Sequence, residues 1–118
     1  MKCAFLLCDT SELLHYCVQR SDHWNVQATG DLSSLRLASQ DLSLLIDPVP
    51  EGPDPILNER LIEADVTAPY LYLITCRDEQ FISCFVHVLR FELGSEVWLV
   101  DDKNVLSSSQ VSPDILNL

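Results

Sequence analysis

Glycine is scarce in this chain, with only Gly30, Gly52 and Gly94 in 118 residues. Loops that cradle phosphates, dinucleotide fingerprints and the elbow that presents a catalytic serine all need glycines at fixed spacing, so none of these chemistries is expected. Positive charge is scarce too: 7 Lys and Arg stand against 18 Asp and Glu, for a net charge of -11. The bases Lys2, Arg20, Arg36, Arg60, Arg77, Arg90 and Lys103 are scattered singly. Nucleic acids and anionic membrane surfaces are bound by clustered Lys and Arg, so neither is expected as a partner. There is no CxxC pair and no His pair. Nor does any apolar run approach the roughly 18 residues that would cross a bilayer.

The remaining composition, 47% hydrophobic and 21% charged, is that of a packed globular chain. Its length suits one domain spanning 1–118. The five cysteines (Cys3, Cys8, Cys17, Cys76, Cys84) are odd in number and read as reduced, buried thiols. The first apolar run, CAFLLC, is too short for a secretory core and lacks a small-residue cleavage site. A cytoplasmic location is the expectation.

Residues 3–8 have the length of a strand, and Asp9 with Glu12 has the form of a capping box, so a helix is predicted over 10–20. Trp24, Val26 and Ala28 alternate as a strand ending at Gly30-Asp31. Leu35 and Leu37, then Leu42, Leu44 and Ile46, predict two further strands or one broken strand. DPVPEGPDP, residues 47–55, holds four of the six prolines and predicts an exposed connection. Ile56, Leu57, Leu61, Ile62 and Ala64 then predict a short helix. YLYLITC reads as a central strand, and EQFISCFVHVLRFEL as the longest helix, capped by Asp78 and closed by Gly94. EVWLV and VLSS flank Asp101-Asp102-Lys103-Asn104 as a hairpin. Pro113 opens a terminal segment.

Sliding the chain by 68 residues lays Ala4 to Val18 over Tyr72 to Val86. Each copy is an apolar strand ending in cysteine, four capping residues and an amphipathic helix, followed by a strand near Trp24 or Trp98. The fold class predicted is therefore α+β: one mainly antiparallel sheet with two or three helices packed on one face, built from two strand-helix-strand units.

Several constellations suggest chemistry and fall short of it. Cys8 and Cys76 lie where a strand passes into a helix, a setting that activates thiols, yet Asp9 and Asp78-Glu79 oppose ionisation. Cys84 and His87 share a helix face, and Cys76 can be imagined as a third ligand, but no fourth completes a zinc site. Ser11, His15, His23 and Asp22 lack the strained turn and oxyanion donors of a triad. Asp101-Asp102 has the ordinary composition of a turn. No catalytic residue, metal or cofactor is expected, and an enzyme using Cys8 or Cys76 is the third choice of reading.

Two features fit recognition of another protein. The long helix has apolar residues on more than one face, and covering by 47–66 is the first expectation; an uncovered strip would suit a partner or a second copy. From Asp41 to Asp65 seven acids (Asp41, Asp47, Glu51, Asp54, Glu59, Glu63 and Asp65) accompany one base, Arg60. Prolines stiffen that segment, so it has less entropy to lose on meeting a basic surface. These seven are the predicted partner-binding residues.

From YLYLITCRDEQF through EVWLVDDKNVLSSSQVSPDILNL, about 50 residues, the chain resembles small acidic bacterial immunity proteins that neutralise toxins. The resemblance lies in the strand ending at Cys76-Arg77, the following helix, the strand-turn-strand with Trp98 and Asp101, and the closing SPDIL. It implies an antitoxin-like cytoplasmic inhibitor that binds a basic toxin domain. These families share a task and no contact motif, so no binding residue carries over. The alternative is a regulatory or ligand-sensing domain that forms a homodimer through the long helix.

Overall fold

The computed structural model describes residues 2–31, 33–39, 42–66, 70–94, 97–100 and 105–107. In chain order these form β1 (Lys2–Cys8), α1 (Leu13–Arg20), β2 (Gln27–Asp31), β3 (Ser34–Ser39), β4 (Leu42–Pro48), α2 (Pro55–Glu63), β5 (Tyr70–Cys76), α3 (Glu79–Leu93), β6 (Trp98–Val100) and β7 (Val105–Ser107). The strands make one antiparallel sheet in the order β2-β3-β4-β5-β1-β6-β7. The fold is α+β, as the sequence predicts.

Strand alternation sorts the side chains into two layers. Ala4, Leu6 and Cys8 of β1 join Leu35, Leu37, Leu44, Ile46, Tyr72, Ile74 and Leu99 on one face. There they meet Leu13, Leu14 and Cys17 of α1 and Ile82, Phe85, Val86 and Leu89 of α3. On the other face Leu7, Leu71 and Val100 pack with Leu57 and Leu61 of α2 and with Val66. Two helices thus share one face as expected, while α2 lies on the opposite one. The 47–66 segment therefore does not cover α3; the second side of that helix meets Tyr16 and Trp24 instead, the Trp24 ring standing edge-on to Phe85 at 6.3 Å.

Local chemistry moves several boundaries. Thr10 Oγ1 accepts the Glu12 N-H at 3.1 Å, and Glu12 occupies the N-cap of α1 without a side-chain capping bond, so the Asp9-Glu12 capping box does not form. Trp24 sits in the turn after α1, not on a strand; its N-H donates to Arg20 O, Asn25 takes a left-handed φ of 59°, and β2 begins only at Gln27. Asp54 does cap α2, its Oδ1 accepting the Leu57 N-H at 2.8 Å, with Pro55 at the first helical position, where its missing N-H is not needed. Gly94 closes α3 with φ +69° and donates its N-H to Arg90 O. The turn at 101–104, the segment from Pro113 and Asp41 lie outside the described residues.

Candidate functional site

The seven predicted acids do not form one continuous stretch. Asp47 is a half-buried β4 residue directly opposite Leu73 of β5. Asp54 is used by the N-terminus of α2. Glu51 is exposed in the turn after β4, Glu59 and Glu63 are exposed on α2, and Asp65 is exposed just beyond it at φ 56°. No ion pair among the described residues neutralises Glu51, Glu59, Glu63 or Asp65. What the fold brings together is α2 and its two flanking turns.

Leu57 and Leu61, four apart, point α2 inward, which turns Ile56, Glu59, Ile62 and Glu63 toward the outside. Ile56 is 74% exposed and Ile62 70% exposed. Two isoleucines on a carboxylate-bearing helix face give a surface that is both apolar and anionic. A single exposed isoleucine is ordinary; two on one short helix form an exposed apolar patch beside a groove.

The groove runs between α2, the 48–53 connection and the start of β5, and encloses about 970 Å³. Its walls include Pro48, Val49, Leu61, Ile62, Val66 and Leu71, with Tyr70 and Tyr72 alongside. A smaller pocket of about 260 Å³, lined by Ser11, Glu12, Leu14 and His15, shares Ser11, Pro48 and Tyr72 with it. The Tyr72 hydroxyl donates to Thr10 O at 2.8 Å, and burial pushes its pKa up to about 12. It stays protonated and pins the β1–α1 turn at the junction of the two cavities. Periodicity marks Leu61 and Leu71 as core residues but contains nothing that brings Ser11, Glu12 and His15 beside Tyr72; only the β1–β5 register does that.

The thiols and histidines are dispersed. Cys8 and Cys76 are buried, Cys8 Sγ donating to Thr10 O at 3.6 Å and Cys76 Sγ accepting the Asp78 N-H at 3.5 Å. Burial, offset in part by that Thr10 bond and reinforced by Asp9, raises the Cys8 pKa. Burial, then the neighbouring Cys8 and Glu92, pushes the Cys17 thiol up to about 12. Cys3 is exposed and Cys84 half-buried, contrary to the expectation of five buried thiols; as the second residue of β1, Cys3 faces away from α1 and α3. Among the described residues no group of three or more His, Cys, Asp or Glu side chains is placed to hold a metal ion.

A polar cluster that sequence reasoning missed joins α1 to α3. Arg20 donates to Glu92 Oε1 at 2.7 Å, while the Trp24 indole N-H and the Tyr16 hydroxyl both donate to Oε2, at 3.0 and 3.2 Å. Desolvation pushes the Glu92 carboxyl up, but the bonds from Arg20, Trp24 and Tyr16 outweigh it and hold the pKa below its ordinary value. The cluster lies on the sheet face that carries α1 and α3, away from α2, and its bonds are all internal, so its part is structural.

No helix among the described residues is long and apolar enough to cross a membrane. No family model, no curated protein and no solved structure matches this chain.

Proposed function

We propose that this chain is a binding protein of the immunity type, a cytoplasmic inhibitor that neutralises a basic toxin domain by docking on it, without catalysis. One observation carries the reading: the outer face of α2 presents Ile56 and Ile62 with Glu59 and Glu63, Glu51 and Asp65 are exposed in the two flanking turns, and among the described residues no ion pair neutralises those acids. Exposed aliphatic side chains supply contact area, and uncompensated carboxylates steer an oppositely charged partner and disfavour acidic ones. Dimerisation through α3, the other reading, has less support: Phe85 and Leu89 are buried, and Phe91 stands out alone at 84% exposed.

The test is co-expression with the product of the adjacent gene, followed by association kinetics across salt concentrations. A complex is expected whose formation slows as salt rises. The variant Glu51→Gln/Glu59→Gln/Glu63→Gln/Asp65→Asn, which keeps a residue tolerant of the left-handed backbone at 65, should associate about tenfold more slowly. No complex with a neighbouring product, or an unchanged rate in the variant, overturns the proposal.

A further inference from the structure

We propose that the groove beside α2 and the pocket that opens from it form a two-part recognition site for an extended segment of the basic partner. An apolar side chain of that segment sits against Leu61, Val66 and Leu71, and an adjacent Lys or Arg reaches Glu12. This deepens the preceding reading and rests on it for the class of partner.

The apolar part follows from size and wall chemistry. At about 970 Å³ the groove lies at the upper end of the range of sites that bury a whole small ligand. Its outer wall is Pro48, Val49, Pro50 and Pro53. Its prolines have no N-H to give, and the N-H groups of Val49 and Gly52 already donate to Leu71 O and Val49 O, so that wall is a poor edge for an added strand and recognition falls to side chains. The same prolines fix the wall in advance, which lowers the entropy lost on binding.

The basic part follows from charge. Glu12 lines the smaller pocket, is exposed, and makes no ion pair among the described residues. Among the described residues no Lys or Arg lines either cavity. Ser11, Pro48 and Tyr72 border both, so one ligand spans them without leaving the surface. Tyr70, 39% exposed at the groove, offers a ring face to a guanidinium or ammonium group. An apolar-then-basic segment satisfies both cavities, whereas an acidic one meets Glu12.

The experiment is a titration of the isotope-labelled full chain, read by amide chemical shifts, with three capped dipeptide amides: acetyl-Leu-Arg, acetyl-Leu-Glu and acetyl-Gly-Arg. Acetyl-Leu-Arg should shift Leu61, Val66 and Leu71 together with Glu12 and His15. It should bind about fivefold more tightly than acetyl-Leu-Glu, the scale of one exposed charge pair. Acetyl-Gly-Arg should leave the groove residues unmoved. Glu12→Gln should cancel the preference for Arg over Glu, and Ile62→Lys, at an exposed position, should abolish acetyl-Leu-Arg binding while the spectrum stays that of the folded chain. Shifts confined to other surfaces, or equal binding of acetyl-Leu-Arg and acetyl-Leu-Glu, overturn the proposal. If the partner complex forms and weakens in the four-acid variant but is untouched by Ile62→Lys, the groove assignment fails and the binding function stands. If acetyl-Leu-Arg binds as described but the partner's association ignores salt and the four acids, the reverse holds.

Discussion

Phe5 of β1 lies directly opposite Leu73 of β5, and the same two residues are equivalent under the 68-residue offset of the sequence, since 73 - 5 = 68. The neighbouring pairs Ala4-Ile74 and Leu6-Tyr72 exchange under that offset. The internal repeat is therefore a local two-fold in the sheet through the Phe5-Leu73 pair, with α1 and α3 related across it on one face. The relation stops at the next strands. β6 lies beside β1 on one side, but on the other side β5 pairs with β4, and β2 is separated from β5 by β3 and β4.

Because β6 pairs with β1 next to this axis, β6 belongs to the core. Val97 and Val100 are fully buried, and Val100 lies opposite Phe5. A chain ending at Gly94 leaves one edge of β1 without a partner and Leu7 without Trp98. Such a truncation should lose its sigmoidal urea transition. A cooperative transition of undiminished steepness in the truncated chain contradicts this placement.

The Glu92 cluster gives the fold an acid-sensitive joint. Its pKa is lowered in the folded state, so the stabilisation is complete above the ordinary glutamate value of 4.5 and is lost as pH falls through the folded-state value. Wild type should therefore lose stability on acidification more steeply than Glu92→Gln. At neutral pH that variant should be less stable by about 2 kcal/mol, because charge-assisted bonds become neutral ones while Tyr16 and Trp24 keep an acceptor. Denaturant titrations at pH 7 and pH 4 with parallel slopes for the two proteins exclude this role.

Thiol reactivity should follow burial and not position relative to helix termini. At pH 8 a thiol with a pKa near 12 is thiolate in only about one molecule in ten thousand, so Cys17 should resist alkylation in the folded protein. Cys3, exposed on β1, should react first, ahead of Cys8 and Cys76. Peptide mapping after a brief iodoacetamide pulse measures the order. Early labelling of Cys8 or Cys76 would revive the enzyme reading.

Backbone conformation sets one further position. Gly30 has φ +113°, and a Cβ there would collide with the Ser34 carbonyl oxygen across the β2–β3 turn, where Asp31 Oδ1 accepts the Ser33 N-H at 2.8 Å. Gly30→Ala should destabilise by about 1 to 3 kcal/mol, the range for strained positions. A chemical-denaturation midpoint equal to that of wild type would show that the turn relaxes freely.

The elements whose apolar period is unbroken are legible without coordinates: α2 from Ile56 through Ala64, β5 from its β-branched and aromatic run, and α3 from its length and Gly94. Location is less legible than type. Leu57 and Leu61 show that one side of α2 is buried, but the same spacing serves either face of a sheet, and the choice is made by Leu7, Leu71 and Val100 from three distant strands. Trp24 alternates convincingly with Val26 and Ala28, yet its indole N-H is drawn to Glu92 on a helix 68 residues away, and the chain turns instead of extending. The acid run divides for the same reason: Asp47 is claimed by the sheet and Asp54 by a helix terminus, two demands that composition does not distinguish.

The apolar component of the proposed interface is separable from its charge. Ile56 and Ile62 together place most of two aliphatic side chains in water on α2, and neither belongs to the buried clusters. Replacing both with serine should leave the thermal midpoint within a degree or two, because exposed positions outside the core change stability by roughly 0.5 kcal/mol or less. Covering such side chains with a partner contributes about 25 cal/mol per Å² of apolar area, so the double variant should weaken the complex by about tenfold or more, through faster dissociation. The four-acid variant should act on the association rate instead. Surface plasmon resonance on the two variants resolves the rates: a double serine variant with unaltered dissociation places the contact elsewhere, and Phe91 on the opposite face becomes the residue to replace next.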